Sequence, residues 1–389
     1  MKERVYLDWN ATTPLRLDAR QAIIETLDII GNPSSVHGEG RQARRILENA
    51  RSAVAAALGA DPGEVVFTSG ATEANMLALT PGVRRQASPP TGRLIVSAIE
   101  HASVLAGGRF ARDQIERAPV NASGIVDLDW LREALDRKPV ALVSIMLANN
   151  ETGAIQPIAA VADMVHAAGG VLHVDAVAAV GKLSINFSEM GADLLSISAH
   201  KIGGPKGVGA LIVADRVLGL ESELRGGGQE KGRRGGTENL PGIAGFGAAA
   251  RASADDLESD AAHGARLRQR LEAGLKAAAD NVIIFSEDVP RLPNTTLFTV
   301  PGLRAETAVI GFDLEGIAVS SGSACSSGKV QPSHVLQAMH AAPDIARGGV
   351  RISLGWTTAE SDIDQALGAW RKLTKSLGKK KDETVLERF

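Results

Sequence analysis

Between residues 64 and 214, short apolar runs alternate with stretches of helical periodicity, and this alternation constrains the fold more than any other feature. EVVFTS (64–69), RLIVSAI (93–99), ALVSIML (141–147), VLHVDA (171–176), DLLSIS (193–198) and GALIVA (209–214) are largely apolar on both strand faces. A strand of that kind must be covered on both sides. TEANMLAL (72–79) and IAAVADMVHAAG (158–169) lie between such runs and carry helical patterns. An α/β architecture is predicted, with a parallel or mixed sheet covered by helices.

After Pro241 the pattern changes. Residues 242–278 read as one or two long helices. Strands are predicted at NVIIFS (281–286), TTLFTV (295–300) and VRISL (350–354), and helices at 305–315 and 360–377. Thr357 and Glu360 have the spacing of a capping box at the start of the last helix. Ile363, Leu367, Trp370 and Leu373 fall on one face of that helix. The C-terminal third is therefore expected to form a smaller α+β unit.

The totals exclude several classes. A formal net charge of −3 implies no overall attraction to nucleic acid or acidic membranes. Aromatic residues, at 3%, provide few stacking platforms for single strands. The basic runs RQARR (41–45) and GKKKDE (378–383) read as solvated faces. No window approaches 18 uninterrupted apolar residues, so no membrane span is expected. The start, MKERVYLDWN, has no apolar signal-peptide segment. Cys325 is the only cysteine, which excludes an internal disulfide or a multi-thiolate metal site. No metal is expected, and a reducing cytoplasm is the default compartment.

The residues able to carry chemistry gather at strand ends. In SAHKIGGPKGVG (198–209), Lys201 follows a strand and precedes a glycine-rich turn. Desolvation there would expose a neutral amine able to form a Schiff base, although an ordinary surface lysine fits the same residues. In TSGATE (68–73), the N–H groups of Gly70, Ala71 and Thr72 and the Thr72 hydroxyl could hold an anion at a helix start. Simple N-capping by Thr72 is the alternative. Asp175, in HVDAVAAVGK (173–182), stands at the C-terminal end of a buried strand, where ligands of open sheets bind. It could keep a pyridine nitrogen protonated, or it could cap a helix. His101, in EHASV (100–104), faces a ligand or is a satisfied core histidine. The loop GGGQEKGRRGGTEN (226–239) grips an anion or packs on a second subunit. Arg351 needs a carboxylate, internal or from a substrate. Together these groups fit pyridoxal phosphate. A nucleotide fits less well, since no G-x-G-x-x-G follows an early strand and no G-x-x-x-x-G-K-[ST] occurs.

Taken in order, the motifs resemble those of cysteine desulfurases, members of the class V aminotransferase group of fold-type-I pyridoxal-phosphate enzymes. The matching segments include YLDWNATTP (6–14), NPSSVHGEGR (32–41), FTSGATEANMLAL (67–79), EHASVL (100–105), LANNETGAIQP (147–157), SAHKIGGPKGVGAL, GGGQEKGRRGGTENLPGIAGF, SSGSACSSGKVQPSHVL and RISLGWTT (351–358). They span nearly the whole chain, and SSGSAC…PSHVL is similar to the branch with a long catalytic-cysteine loop, here about 320–332.

The resemblance implies a large cofactor-binding domain over 16–255 and a small domain formed by 1–15 and 256–389. It implies that Lys201 forms the Schiff base, Asp175 pairs with the pyridine nitrogen, and His101 stacks on the ring and moves a proton. Ala71, Thr72, Ser198 and His200 would hold the phosphate, completed by Thr237 from the other subunit of a homodimer. Arg351 and Asn10 would bind the substrate carboxylate, and Asn149 would contact cofactor or substrate. Cys325 would take sulfur from L-cysteine as a persulfide, release L-alanine, and pass the sulfur to an acceptor such as an iron–sulfur scaffold protein. The five serines, two glycines and one alanine around Cys325 in residues 320–328 suit a mobile loop that moves between pocket and acceptor.

The sequence departs from the family pattern at Ala178, where glutamine usually bonds the cofactor's phenolic oxygen. Asn149 or a water is expected to take over that contact. Two other readings share the fold: a selenocysteine lyase or aminotransferase, and a non-catalytic scaffold that docks sulfur acceptors.

Overall fold

The computed structural model describes residues 4–138, 140–322 and 333–386, with side chains in the last helix described through Lys375. Cys325 and most of the loop expected to carry it lie outside the described residues.

Seven strands form the central sheet: β1 (Val65–Thr68), β2 (Leu94–Ser97), β3 (Ile115–Ala118), β4 (Leu142–Met146), β5 (Val171–Asp175), β6 (Leu194–Ser198) and β7 (Gly209–Val213). Their order is β1-β7-β6-β5-β4-β2-β3. Only β7 runs against its neighbours; the pairings among β2 to β6 are parallel. Every residue of β1, β2, β4, β5, β6 and β7 is buried, as strands apolar on both faces require. β3, sequence IERA, was not anticipated. It is an edge strand, and its Glu116 and Arg117 blunt the free edge instead of marking it with apolar residues.

Six helices surround this sheet: α1 (Leu17–Leu27), α2 (Gly38–Ala57), α3 (Ala71–Ala78), α4 (Leu128–Arg137), α5 (Ile158–Ala167) and α6 (Leu240–Asp255). Burial of Leu47, Val54, Phe67, Val96, Val143, Leu172, Ile197 and Phe246 in one cluster joins them to the strands. At about 25 cal/mol per Å², that shared apolar burial is the main force holding the layers together.

The C-terminal part carries a four-stranded sheet of β8 (Ile283–Ile284), β9 (Thr295–Thr299), β10 (Ser320–Ser321) and β11 (Val350–Ser353), in the order β8-β9-β11-β10 and antiparallel throughout. Helices α7 (Leu257–Ala278), α8 (Ala305–Leu314), α9 (His334–Ala338) and α10 (Glu360–Leu386) complete it. Its core contains Val5 and Leu7 from the N-terminus beside Leu271, Phe298, Phe312, Ile352 and Trp370. Ile363, Leu367 and Trp370 are buried on one face of α10, with Leu373 packed beside them. The capping box is displaced from the expected position: the Asp362 carboxylate accepts from the Ala359 N–H at 2.8 Å, while Thr358 Oγ1 accepts from the Gly355 N–H. Asp362 sits three residues after Ala359, so it closes the first turn that Thr357 and Glu360 were expected to close.

Candidate active site

All strands of the large sheet except β7 end on one edge. There a cleft of about 610 Å³ lies between the two cores. Asn10, Ala71, Thr72, His101, Asp175, Ser198, His200, Lys201 and Arg351 all line it. These residues come from four strand ends of the large sheet, from the N-terminal segment and from β11 of the small sheet, so the parallel topology gathers most of them and the small domain adds Arg351.

β1 ends at Thr68, and Gly70 (φ +154°) turns the chain into α3. A Cβ on Gly70 would meet nothing within 4 Å, so its backbone stands open to the cleft. Behind it, a Cβ on Gly209 would come within 2.8 Å of the Gly70 backbone, and glycine at 209 lets β7 press against this turn. The first N–H groups of α3 have no acceptor within the helix. Thr72 is not the N-cap: Gly70 occupies that place, and the Glu73 carboxylate takes the Ser69 N–H at 2.7 Å. The Thr72 hydroxyl is not spent on capping.

β5 ends at Asp175, which is 5% exposed. Its Oδ1 accepts from the Val177 N–H at 3.0 Å and its Oδ2 from Asn75 Nδ2 at 3.0 Å. Among the described residues no cation pairs with it. A buried carboxylate served only by neutral donors suits a protonated ring nitrogen. β6 ends at Ser198, and the turn Ala199–Lys201 carries His200 and Lys201 to the opening. The Lys201 amine donates to the carbonyl oxygens of Asn10 and Ala11. Burial and the nearby charges of Lys201, Lys206 and Lys182 lower His200 to about 4, so its ring is neutral at pH 7.

His101 begins the short helix Ala102–Leu105. Its Nδ1 accepts the Ser103 N–H at 3.1 Å and lies 2.7 Å from Ser103 Oγ. A nitrogen that accepts a backbone N–H carries no proton, so the neutral ring is protonated at Nε2. Arg351 on β11 meets an internal carboxylate, Asp8 Oδ1, at 2.7 Å and the Asn150 carbonyl at 3.1 Å. It still lines the cleft, with its Nε buried and unpartnered. Asn10 is also on the wall, but its amide donates to Asn150 O at 3.1 Å and Thr295 Oγ1 at 2.9 Å.

Two expected site residues lie elsewhere. Asn149 is fully buried behind the wall: its Nδ2 donates to the Ile99 carbonyl, and its Oδ1 accepts from the Glu151 and Thr152 N–H groups. It braces the 149–152 turn, while its neighbour Asn150 lines the cleft. The expected replacement of the missing glutamine by Asn149 therefore has no free donor in this arrangement. Ala178 itself lines the cleft, and its carbonyl accepts from Lys182 Nζ at 2.9 Å. Burial, then the charges of Lys201 and Arg351, brings the Lys182 amine down to about 7. Thr237 is exposed and does not line the cleft.

Sequence reasoning missed Asn75, Ser103, Asn150 and two buried acids, Glu100 and Glu151. The available signal for Asn75 was a polar residue inside an otherwise apolar helical run, TEANMLAL. Among the described residues no cluster of His, Cys, Asp or Glu could hold a metal, and no helix is long and apolar enough to cross a membrane.

The site's chemistry is that of a fold-type-I pyridoxal-phosphate enzyme, and the comparisons agree. The aminotransferase class-V family matches residues 5–366. A cysteine desulfurase of Cereibacter sphaeroides is 44% identical over 94% of both chains. The cysteine desulfurase IscS of Dictyoglomus turgidum is 39% identical over 97% of this chain and 96% of its own. The solved structure of a NifS-like protein from Rickettsia africae superimposes with a TM-score of 0.88 at 37% identity, covering 96% of this chain and all of that one. The chain belongs to the class-V aminotransferase family, and within it to the cysteine desulfurases. Its cofactor is pyridoxal 5'-phosphate.

Proposed function

We propose that this cleft takes the sulfur from L-cysteine, places it on Cys325 and releases L-alanine. The observation that carries the proposal is the meeting, in one cleft, of a strand-end lysine, a buried carboxylate paired with no cation among the described residues, an open helix start and a guanidinium.

Bound through Lys201, the cofactor supplies an electron sink for charge that develops at the substrate Cα. Asp175 holds the ring nitrogen. The N–H groups at 70–72, Ser198 and His200 hold the phosphate; a neutral His200 serves as a hydrogen-bonding group there. Arg351 pairs with the substrate carboxylate, and Asn10 backs it. The Lys201 amine, released once the substrate amine has taken its place, would take the Cα proton, and His101, protonated at Nε2, would be placed to move another. The Cys325 thiolate attacks the substrate sulfur: an S–S bond forms, the Cβ–S bond breaks and Cβ gains a proton. Cysteine plus a protein thiol becomes alanine plus a protein persulfide, with no oxidant consumed. The persulfide then supplies a sulfur acceptor, in our reading an iron–sulfur scaffold protein in the cytoplasm.

The two largest cores, one drawn from residues within 16–255 and the other from 1–15 and 256–389, support the division into a large and a small domain with those bounds, and smaller clusters around Met146 and Ala178 pack the two together. We read the protein as a homodimer in which Thr237 completes the partner's phosphate site. Two features favour this: Thr237 is exposed away from its own cleft, and Leu17, Leu27, Ile30 and Val36 are 79%, 65%, 90% and 88% exposed along α1 and the loop after it.

The test is to measure alanine and protein persulfide from L-cysteine in the wild type, Lys201→Ala and Cys325→Ala. Loss of both products in Lys201→Ala, and loss of the persulfide in Cys325→Ala, is expected. Full cysteine turnover by Cys325→Ala overturns the proposal.

A further inference from the structure

Two groups assigned to the cofactor, Asp175 and His101, stand on different elements, and one side chain connects them. Asn75, on α3, is completely buried. Its Nδ2 donates one hydrogen to Asp175 Oδ2 at 3.0 Å and the other to Ser103 Oγ at 2.9 Å. Ser103 Oγ in turn lies 2.7 Å from His101 Nδ1. The directions are determined. A carboxylate only accepts, so the amide nitrogen, not its oxygen, faces Asp175. The His101 Nδ1 already accepts the Ser103 N–H at 3.1 Å, so the Ser103 hydroxyl must donate to it. The hydroxyl can do so because Asn75 donates to its oxygen and leaves its hydrogen free. The amide oxygen of Asn75 is buried without a partner, so Asn75 is held here by its two donor contacts at some cost.

We propose that Asn75 is a positioning residue for the cofactor ring. One amide group orients the carboxylate that meets the ring nitrogen and, through Ser103, the imidazole that meets the ring face. This rests on the assignment of Asp175 and His101 to the cofactor given above.

The test uses Asn75→Leu, which keeps the volume and removes both donors, and Asn75→Asp, which keeps the shape. Two readouts are taken: the cofactor dissociation constant, by titrating the cofactor-stripped protein with pyridoxal phosphate, and the ring-nitrogen NMR shifts of His101 in ¹⁵N-histidine-labelled protein. Loss of a hydrogen bond to a charged acceptor is expected to weaken cofactor binding about tenfold. The His101 ring signals are expected to move, because Ser103 carries the change from residue 75 to that ring. If Asn75→Leu does not fold, Asn75→Asp is read for the same two changes. Either readout unchanged in a folded variant overturns the proposal. Asp175→Ala separates the two levels: if it binds the cofactor as tightly as wild type, the assignment of Asp175 has failed, whatever residue 75 does.

Discussion

Ser333 Oγ donates to Glu151 Oε2 at 2.6 Å, and a Cβ on Gly322 would come within 2.8 Å of the same oxygen. The last described residue before the cysteine-bearing segment and the first one after it therefore meet at a single buried carboxyl. His334, the next residue, donates from Nε2 to the Glu100 carbonyl at 3.0 Å, directly beside His101. The base of the segment is tied to the two turns that form the cleft wall.

Glu151 and Glu100 give this region a pH dependence. Burial raises Glu151 to about 7, and burial with the charge of Asp175 raises Glu100 to about 8. Both values lie above that of an unfolded glutamate. Between about pH 4.5 and 8 the folded state therefore holds protons that the unfolded state has released, and stability falls as pH rises. The change is expected to be on the order of a few kcal/mol. Thermal melts of the holoenzyme at pH 5 and 8.5 check this. Glu100→Gln should lose less stability than wild type over that interval, and an equal loss would contradict the assignment.

Arg351→Lys is expected to raise KM for cysteine about 10- to 100-fold, the range for losing a hydrogen bond to a charged group. A lysine cannot reproduce the guanidinium's simultaneous hold on Asp8 and Asn150 and also present a face to the cleft. The cofactor's visible absorbance should be retained, since Arg351 is assigned to substrate. Steady-state kinetics together with absorbance distinguishes this from loss of the cofactor.

Ala178→Gln is expected to restore a donor toward the cofactor's phenolic oxygen. The residue lines the cleft, and Asn149 is committed behind the wall. A neutral hydrogen bond of about 0.5–1.5 kcal/mol should lower the pH midpoint of the lysine-bound cofactor's colour change by roughly 0.4–1 unit. A spectral titration of the two proteins measures it, and coincident curves would show that this position does not contact the cofactor.

Glu230 anchors the loop that carries Thr237. Its carboxylate makes two hydrogen bonds of 2.8 Å to Arg51 and takes the Phe67 N–H at 3.0 Å, while Glu230 and Lys231 both adopt positive φ. Glu230→Ala would leave the buried Arg51 guanidinium with only the partly exposed Glu48 as an ionic partner, at a cost of about 3 kcal/mol, the low end for breaking a buried pair. Arg51→Met combined with Glu230→Leu should recover much of that loss in denaturant unfolding. Sedimentation of the single variant should show weaker self-association if the loop forms the dimer contact.

The sequence by itself determined the layered α/β architecture, because strands apolar on both faces can only be buried between helices. It also located Lys201, Asp175, Thr72 and His101, because each follows an apolar run at the edge where open sheets bind ligands. It could not show β3, whose charges protect an edge that exists only once β2 has a place in the sheet. Nor could it separate Asn149 from Asn150, adjacent residues of one type that the turn sends to opposite sides of the cleft wall. The link from Asp175 through Asn75 and Ser103 to His101 joins residues up to 100 positions apart. Their contact depends on the distances between strand ends. Only the packed sheet sets those distances, whereas the burial pattern of each strand is a local property that its own residues display.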